Sequence, residues 1–281
     1  MSSCRSTSPS SHARTAPDAR LAGEQAWIAA IAAETDVCVP EPVRAPDGRW
    51  CVEVDAPAVG RSLLVTAASW LDGRDAEPLE PASARALGRT MATLHLHAET
   101  WQPPRDGALP PLTEPLFGDE DALDSAPDLR PQERAVLAEA RERTGEAFAR
   151  LHEGASLRAL HADLHGGNLK WHDGSLAVFD FDDAGIGLPV LGLAISTYYL
   201  RGEDPALEAA LRDSYAQVAP VPPVAHADLE ALVAARQLLL ANALLITTTA
   251  GWRAEAERYA HTAAARLEHW LRTGTFTCAL A

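Results

Sequence analysis

The chain has 281 residues, 47% of them apolar and 22% charged, and a formal net charge of −15. That length holds one large domain or two modest ones, with core enough for a stable monomer. The acidic balance argues against nucleic acid or an anionic membrane as the main partner. It is compatible with a cationic small molecule and leaves oligomeric state open.

Residues 1–20 mix Ser, Arg and Pro without an apolar run, which reads as a disordered tail and not as a signal peptide. LAGEQAWIAAIAAET (21–35) follows with helical spacing, Ile28, Ile31 and Ala32 on one face and Trp27 beside them. The three prolines of VCVPEPVRAPDG impose an extended path into a turn at Asp47-Gly48. RWCVEVDA (49–56) and RSLLVTAASWL (61–71) have strand character and read as an antiparallel hairpin around Pro57–Gly60. The character changes near Asp72-Gly73, where we draw a boundary. Beyond it come a helix from Pro81, a Pro-rich loop at Gln102–Pro115, and a helix at Pro131–His152. Helical segments near 189–201, 204–218, 226–247 and 252–272 complete the chain. The segment at 226–247 is apolar nearly all round and reads as buried, while its apolar run around Leu238–Ile246 is too short to span a bilayer.

Two compositional features bear on chemistry. The cysteines Cys4, Cys38, Cys51 and Cys278 form no CxxC pair and no zinc-like spacing, which fits reduced thiols in a cytosol. Lys170 is the only lysine, so any step that elsewhere uses lysine falls here to Arg or to Lys170.

The richest stretch is LHADLHGGNLKWHDGSLAVFDFDDAGIG (160–187). WHDG and SLAVFD read as two strands joined by a tight Asp173-Gly174 turn. Such a hairpin returns Asp180 to the loop that carries His161, Asp163, His165 and Asn168. Asp163, Asn168 and Asp180 then converge, and their oxygens suit a hard cation such as Mg²⁺ beside a carboxylate that orients or deprotonates a hydroxyl. H-x-D-x-H at 161–165 also has the form of a transition-metal site. Against it, no further His or Cys cluster completes a shell. Asp182 and Asp183 fit metal, substrate or capping roles equally.

H-A-D-L-H-G-G-N at 161–168 with V-F-D-F-D-D at 178–183 resembles the aminoglycoside phosphotransferase family, which includes type II homoserine kinases and choline kinases. GEQAWIAAI, VPEPV, SWLDGR and ALGRTMATLHLHAETWQPP resemble further segments of that family, so the likeness runs over roughly residues 21–272. It implies an α+β, protein-kinase-like two-lobe fold with a shortened N-lobe: a tail at 1–20, a reduced N-lobe and hinge at 21–72, and a helical C-lobe at 73–281. It implies a cytoplasmic ATP- and Mg²⁺-dependent transfer of a phosphoryl group to a hydroxyl of an aminoglycoside-like, amino-alcohol or amino-acid substrate. Carried over by position, Asp163 is the catalytic Asp, Asn168 and Asp180 hold Mg²⁺, and His161 braces the loop. Ser69, Trp70 and Leu71 form the hinge against adenine, and Glu24 is the helix Glu that pairs with a phosphate-holding base.

The sequence departs from the pattern in two places. The residues before the first helix contain no glycine, no lysine and no apolar alternation, so the glycine-rich turn and the phosphate-gripping strand are not recognisable. Arg14 and Arg20 are the bases within reach, yet no pattern places either one. Gly192-Leu193-Ala194 stands where the family has Asp-Leu-Ala, and that Asp generally braces the catalytic loop. Three readings of the first gap follow: a true start upstream, an active enzyme with a minimal N-lobe, or a catalytically degenerate binding protein. A metal-dependent hydrolase built on His161, Asp163 and His165 is the distant alternative.

Overall fold

The computed structural model describes residues 17–126, 129–201 and 204–279. Arg14 lies outside them, as does most of the segment read as a tail. The first helix, α1 (Pro17–Glu34), begins earlier than its apolar spacing implied, so residues 17–20 are helical and not tail. The spacing had marked only the part of the helix that packs. Trp27 and Ile31 are fully buried and Ile28 nearly so, while the first turn is only partly covered.

After α1 the chain runs extended and forms β1 (Pro42–Val43). The hairpin follows as β2 (Val52–Ala56) and β3 (Arg61–Val65), in register from Val52↔Val65 to Ala56↔Arg61. Its turn closes through Gly60 at φ 69, a left-handed conformation that glycine adopts at little cost. The second strand is shorter than its sequence run. At Thr66 the chain leaves the hairpin, and β4 (Ala67–Ala68) pairs antiparallel with β1 instead. Both hairpin faces are largely exposed, Val54, Leu64 and Val65 included.

Residues past Gly73 add short strands that periodicity could not reveal. β5 (Arg74–Asp75) pairs with β7 (Leu169–His172), which pairs with β8 (Ser175–Val178). β6 (Arg158–Leu160) pairs with β9 (Gly185–Gly187). The β7–β8 turn is the one expected: Asp173 and Gly174 both take positive φ, 46 and 83, as a two-residue type I′ turn requires.

The helices are α2 (Pro81–His97), α3 (Pro131–His152), α4 (Pro189–Leu200), α5 (Pro205–Ala216), α6 (His226–Ile246) and α7 (Ala250–Thr273). They enclose two apolar clusters. One joins Trp27 and Ile31 of α1 to Leu87 and Met91 of α2, Leu211 of α5, and Leu169 and Val178 beneath the β7–β8 hairpin. The other joins α3, α4, α6 and α7 through Phe148, Ile195, Leu232 and Leu267. Ala162 and Leu164, in the loop after β6, belong one to each cluster, so that loop sits on the seam between them. At 21 residues α6 is long and apolar enough to cross a membrane. It is instead packed in the core, and it buries Glu230, Arg236, Gln237 and Asn242.

Candidate active site

His161 follows β6 and ties the loop to the segment after β8. Asp163 N–H donates to its Nδ1 at 3.3 Å, and its Nε2 bonds the Phe179 carbonyl at 3.0 Å. Burial lowers its pKa to about 4, so the ring is neutral and Nε2 carries the proton. Both nitrogens are engaged by backbone, which removes His161 from any metal shell. Among the described residues, no group of three or more His, Cys, Asp and Glu could hold a metal ion.

Asn168 ends a short 3₁₀ turn, Gly166–Asn168, and reaches back along the loop. Its Nδ2 donates to the Asp163 carbonyl at 3.0 Å and to Asp163 Oδ2 at 3.1 Å. Asp180 follows β8 in the left-handed region at φ 64, and Ala162 sits there too at φ 61. Each costs about 1–2 kcal/mol for a residue with a Cβ. The strained positions thus flank the loop and the acidic turn that faces it. With Gly192 on α4 the loop is braced by a different residue, since Ser196 one turn on donates to the Leu164 carbonyl at 2.7 Å. At Gly192 itself a Cβ would stand 3.0 Å from Nε2 of the buried His95, whose Nδ1 pairs with Tyr215 Oη at 2.9 Å.

One partner of Asp163 was not read from the sequence. Arg236 of α6 is 4% exposed, and its guanidinium bonds Asp163 Oδ1 and Tyr199 Oη and lies 3.7 Å from Asp183. Tyr199 Oη also donates to Asp163 Oδ1 at 3.3 Å, and His165 stacks on the Tyr199 ring with centroids 4.4 Å apart. Burial raises the Asp163 pKa, but His165 and Arg236 outweigh it and hold the carboxyl at about 2. Asp180 moves the other way, to about 6, through burial and the carboxylates of Asp182 and Asp163. Asp183 is also raised to about 6 by burial, against the pull of Arg236. An arginine inside an apolar helix was the available signal, because an unpaired charge is not buried.

These groups face a cavity of about 450 Å³. Asp119, Asp163, Asp180, Asp182 and Asp183 are among its lining residues, as are Leu239, Leu240 and Trp252. Arg20 enters it from α1 and donates to the Asp182 carbonyl. Glu24 is 9% exposed one turn further along α1, where its Oε1 accepts from Gln25 Nε2 at 2.9 Å. Burial raises its pKa; Gln25 and Arg20 pull it down, while Asp182 and Asp180 push it up. Ser69, Trp70 and Leu71, expected to form the hinge, do not line this cavity. Ser69 N–H donates to the Glu41 carbonyl at 2.8 Å, so that amide is already engaged. Trp70 is 82% exposed, and the Lys170 ammonium lies 5.4 Å from its ring and 5.6 Å from that of Phe179.

Residues 10–232 match the model of the phosphotransferase enzyme family. An uncharacterized protein of Deinococcus radiodurans is 34% identical over 163 residues, 57% of this chain, and the chain spans about half (46%) of that relative's length. A microcompartment-associated aminopropanol kinase has a similar structure at TM-score 0.74 and 26% identity, covering 96% of this chain and 86% of the other. An amicoumacin kinase in complex with AMP-PNP and Ca²⁺ shares the fold at TM-score 0.66 and 20% identity, over 86% of this chain and 76% of the other. The sheets and helices described above are those of a protein-kinase-like fold, and the chain belongs to the phosphotransferase enzyme family.

Proposed function

We propose that this chain transfers the γ-phosphoryl group of ATP to the hydroxyl of a small amino alcohol. The observation that carries the reading is the bond from Asn168 to Asp163, with Asp180 in the field of the Asp163 carboxylate and both aspartates lining the acidic cavity. Asp163 accepts the substrate hydroxyl. Held at about 2 by His165 and Arg236, it stays ionised but is a weak base, so its part is mainly to aim the oxygen. A loose phosphoryl-transfer transition state asks for that more than for early proton removal.

The donor set fits Mg²⁺. Asn168 Nδ2 is engaged by Asp163, which leaves Oδ1 for a cation, and Asp180 supplies a carboxylate. The crowding that raises Asp180 is what a divalent cation relieves. Two protein oxygens, with phosphate and water completing the shell, is the usual arrangement for this ion. When bound, it would neutralise charge on the phosphates. Ser69, Trp70 and Leu71 would edge the adenine, with Trp70 and Lys170 near its face.

The acceptor class follows from the cavity's lining. Asp182 and Asp183 bring carboxylates toward an ammonium group, and Leu239, Leu240 and Trp252 bring apolar surface toward a short carbon chain. The aminopropanol kinase among the similar structures supports this class. The experiment is ATP- and Mg²⁺-dependent phosphorylation of amino alcohols beside their des-amino counterparts. Amino alcohols should be preferred at least about tenfold in kcat/KM, the effect of one charge-assisted contact. Equal turnover of both would overturn the acceptor class. Tight binding of amino alcohols with no turnover would favour a degenerate binding protein.

A further inference from the structure

A second cavity, of about 420 Å³, shares no lining residue with the one that holds Asp163. The segment after α5 lines it with Ala219, Pro220, Pro222 and Pro223, and α4 lines it with Pro189 and Val190. Proline rings have little freedom to lose, so this apolar wall is set before anything binds. His95 of α2 and Tyr215 of α5 also line the cavity and pair with each other, Nδ1 to Oη at 2.9 Å. Burial and the neighbouring Arg158 lower the His95 pKa to about 3, so the ring is neutral. The charged residues of the lining are Arg158 and Glu99.

Arg158 decides the ligand chemistry. It stands on β6 with its side chain 19% exposed, and Nη1 donates to the His95 carbonyl at 3.1 Å and to Glu99 Oε1 at 2.8 Å. Its Nε is buried and has no partner among the described residues. Nε and Nη2 form the side edge of a guanidinium, which grips a carboxylate through two parallel N–H bonds, and Nη1 is not on that edge. A buried donor without an acceptor is costly, so the cavity favours a ligand that brings one. Glu99 does not turn the preference toward a cation. Its side chain is 48% exposed and already holds Arg158, and water screens the charge that remains. Two walls of the cavity also run to Asp163. Arg158 precedes His161 by three residues, and α4 holds the same loop through Ser196 to the Leu164 carbonyl and through Tyr199 to Asp163.

We propose that this cavity is a second ligand site, which takes a small carboxylic acid with an apolar body on the Nε edge of Arg158 and, when filled, steadies the loop that carries Asp163. The inference stands whether or not the chain is a kinase. Binding turns the Nε edge of Arg158 toward the cavity and joins β6 to α4 across it. ¹H–¹⁵N NMR titrations would use benzoate, benzamide and benzylamine as probes on wild type, Arg158→Met and Ser156→Trp. Ser156 is an exposed residue of the lining, so a tryptophan there fills the cavity without entering the core. Benzoate should shift the Arg158 Nε–H resonance and bind wild type at least about tenfold more tightly than either other probe, the effect of one charge-assisted contact. Arg158→Met should abolish that preference, and Ser156→Trp should weaken benzoate by about tenfold or more. Amides of residues 161–168 should exchange with deuterium more slowly in the benzoate complex. Absence of benzoate binding, tighter binding of benzylamine, or unchanged benzoate affinity in Ser156→Trp overturns the site. Should Arg158→Met fail to fold, the three probes on wild type and Ser156→Trp still decide it. Benzoate binding with unchanged exchange at 161–168 overturns the link to Asp163.

Discussion

At the scale of single residues, the central contact is between the Asp163 carboxylate and the Arg236 guanidinium. Both are largely removed from water, at 16% and 3% side-chain exposure, so neither charge tolerates loss of the other. In Arg236→Met, Asp163 and Asp183 face each other with no cation between them. We expect a loss of about 3–5 kcal/mol in unfolding free energy, the usual cost of breaking a buried pair. The functional effect has a definite sign. Arg236 is one of the groups that lower the Asp163 pKa, so its removal raises that pKa from about 2. The acid limb of the kcat profile should then move to higher pH, and kcat should fall about 100-fold through misplacement of Asp163. An acid limb that stays in place would mean that Arg236 does not act through Asp163.

Among the elements, α2 and α5 approach closely at Gly88. A Cβ built on Gly88 would lie 2.1 Å from the Leu211 carbonyl oxygen and 3.0 Å from Tyr215 N, both of them backbone atoms. Gly88→Ala must therefore push the helices apart, and we expect a loss of 3 kcal/mol or about that, at the upper end for overpacking. Chemical denaturation would measure it, and a near-neutral change would contradict the packing described. The elements that sequence reading located well are those whose signal is local. The β7–β8 hairpin follows from Asp173-Gly174, and the α2 and α3 boundaries follow from Pro81 and Pro131. What escaped it is made by pairing over distance: β5, β6 and β9 are two or three residues long and partner strands up to 97 positions away. The site divides in the same way. Asp163, Asn168 and Asp180 fall within one short stretch and were legible together. Arg236 lies 73 residues on, in a helix read only for its apolar character. Arg20 fell in a segment read as tail, because the apolar pattern of α1 begins after it.

For the whole molecule, acid stability is linked to two buried histidines. Burial lowers the His95 pKa from 6.5 to about 3, with Arg158 adding to the effect, and lowers that of His161 to about 4. Below pH 6.5 the unfolded chain takes up a proton at each position that the native state refuses. Each histidine then removes about 1.4 kcal/mol of stability per pH unit until the folded pKa is reached, and removes nothing above pH 6.5. His95→Gln abolishes one of these linkages. Its stability deficit against wild type should shrink by about 2 kcal/mol between pH 7 and pH 5. Denaturant titrations of both proteins at the two pH values would check this, and a constant deficit would contradict neutral burial of His95. The two apolar clusters meet at the loop on their seam, and in the proposed kinase that loop meets a hydroxyl and a metal-bound nucleotide. The measurement that tests this most directly is ³¹P NMR of ATP, Mg²⁺ and an amino alcohol with wild type, Asp163→Asn and Asp180→Asn. We expect a phosphomonoester signal and ADP with wild type, slowed by about 100-fold or more in each variant. A phosphomonoester formed as fast by Asp163→Asn as by wild type would contradict it.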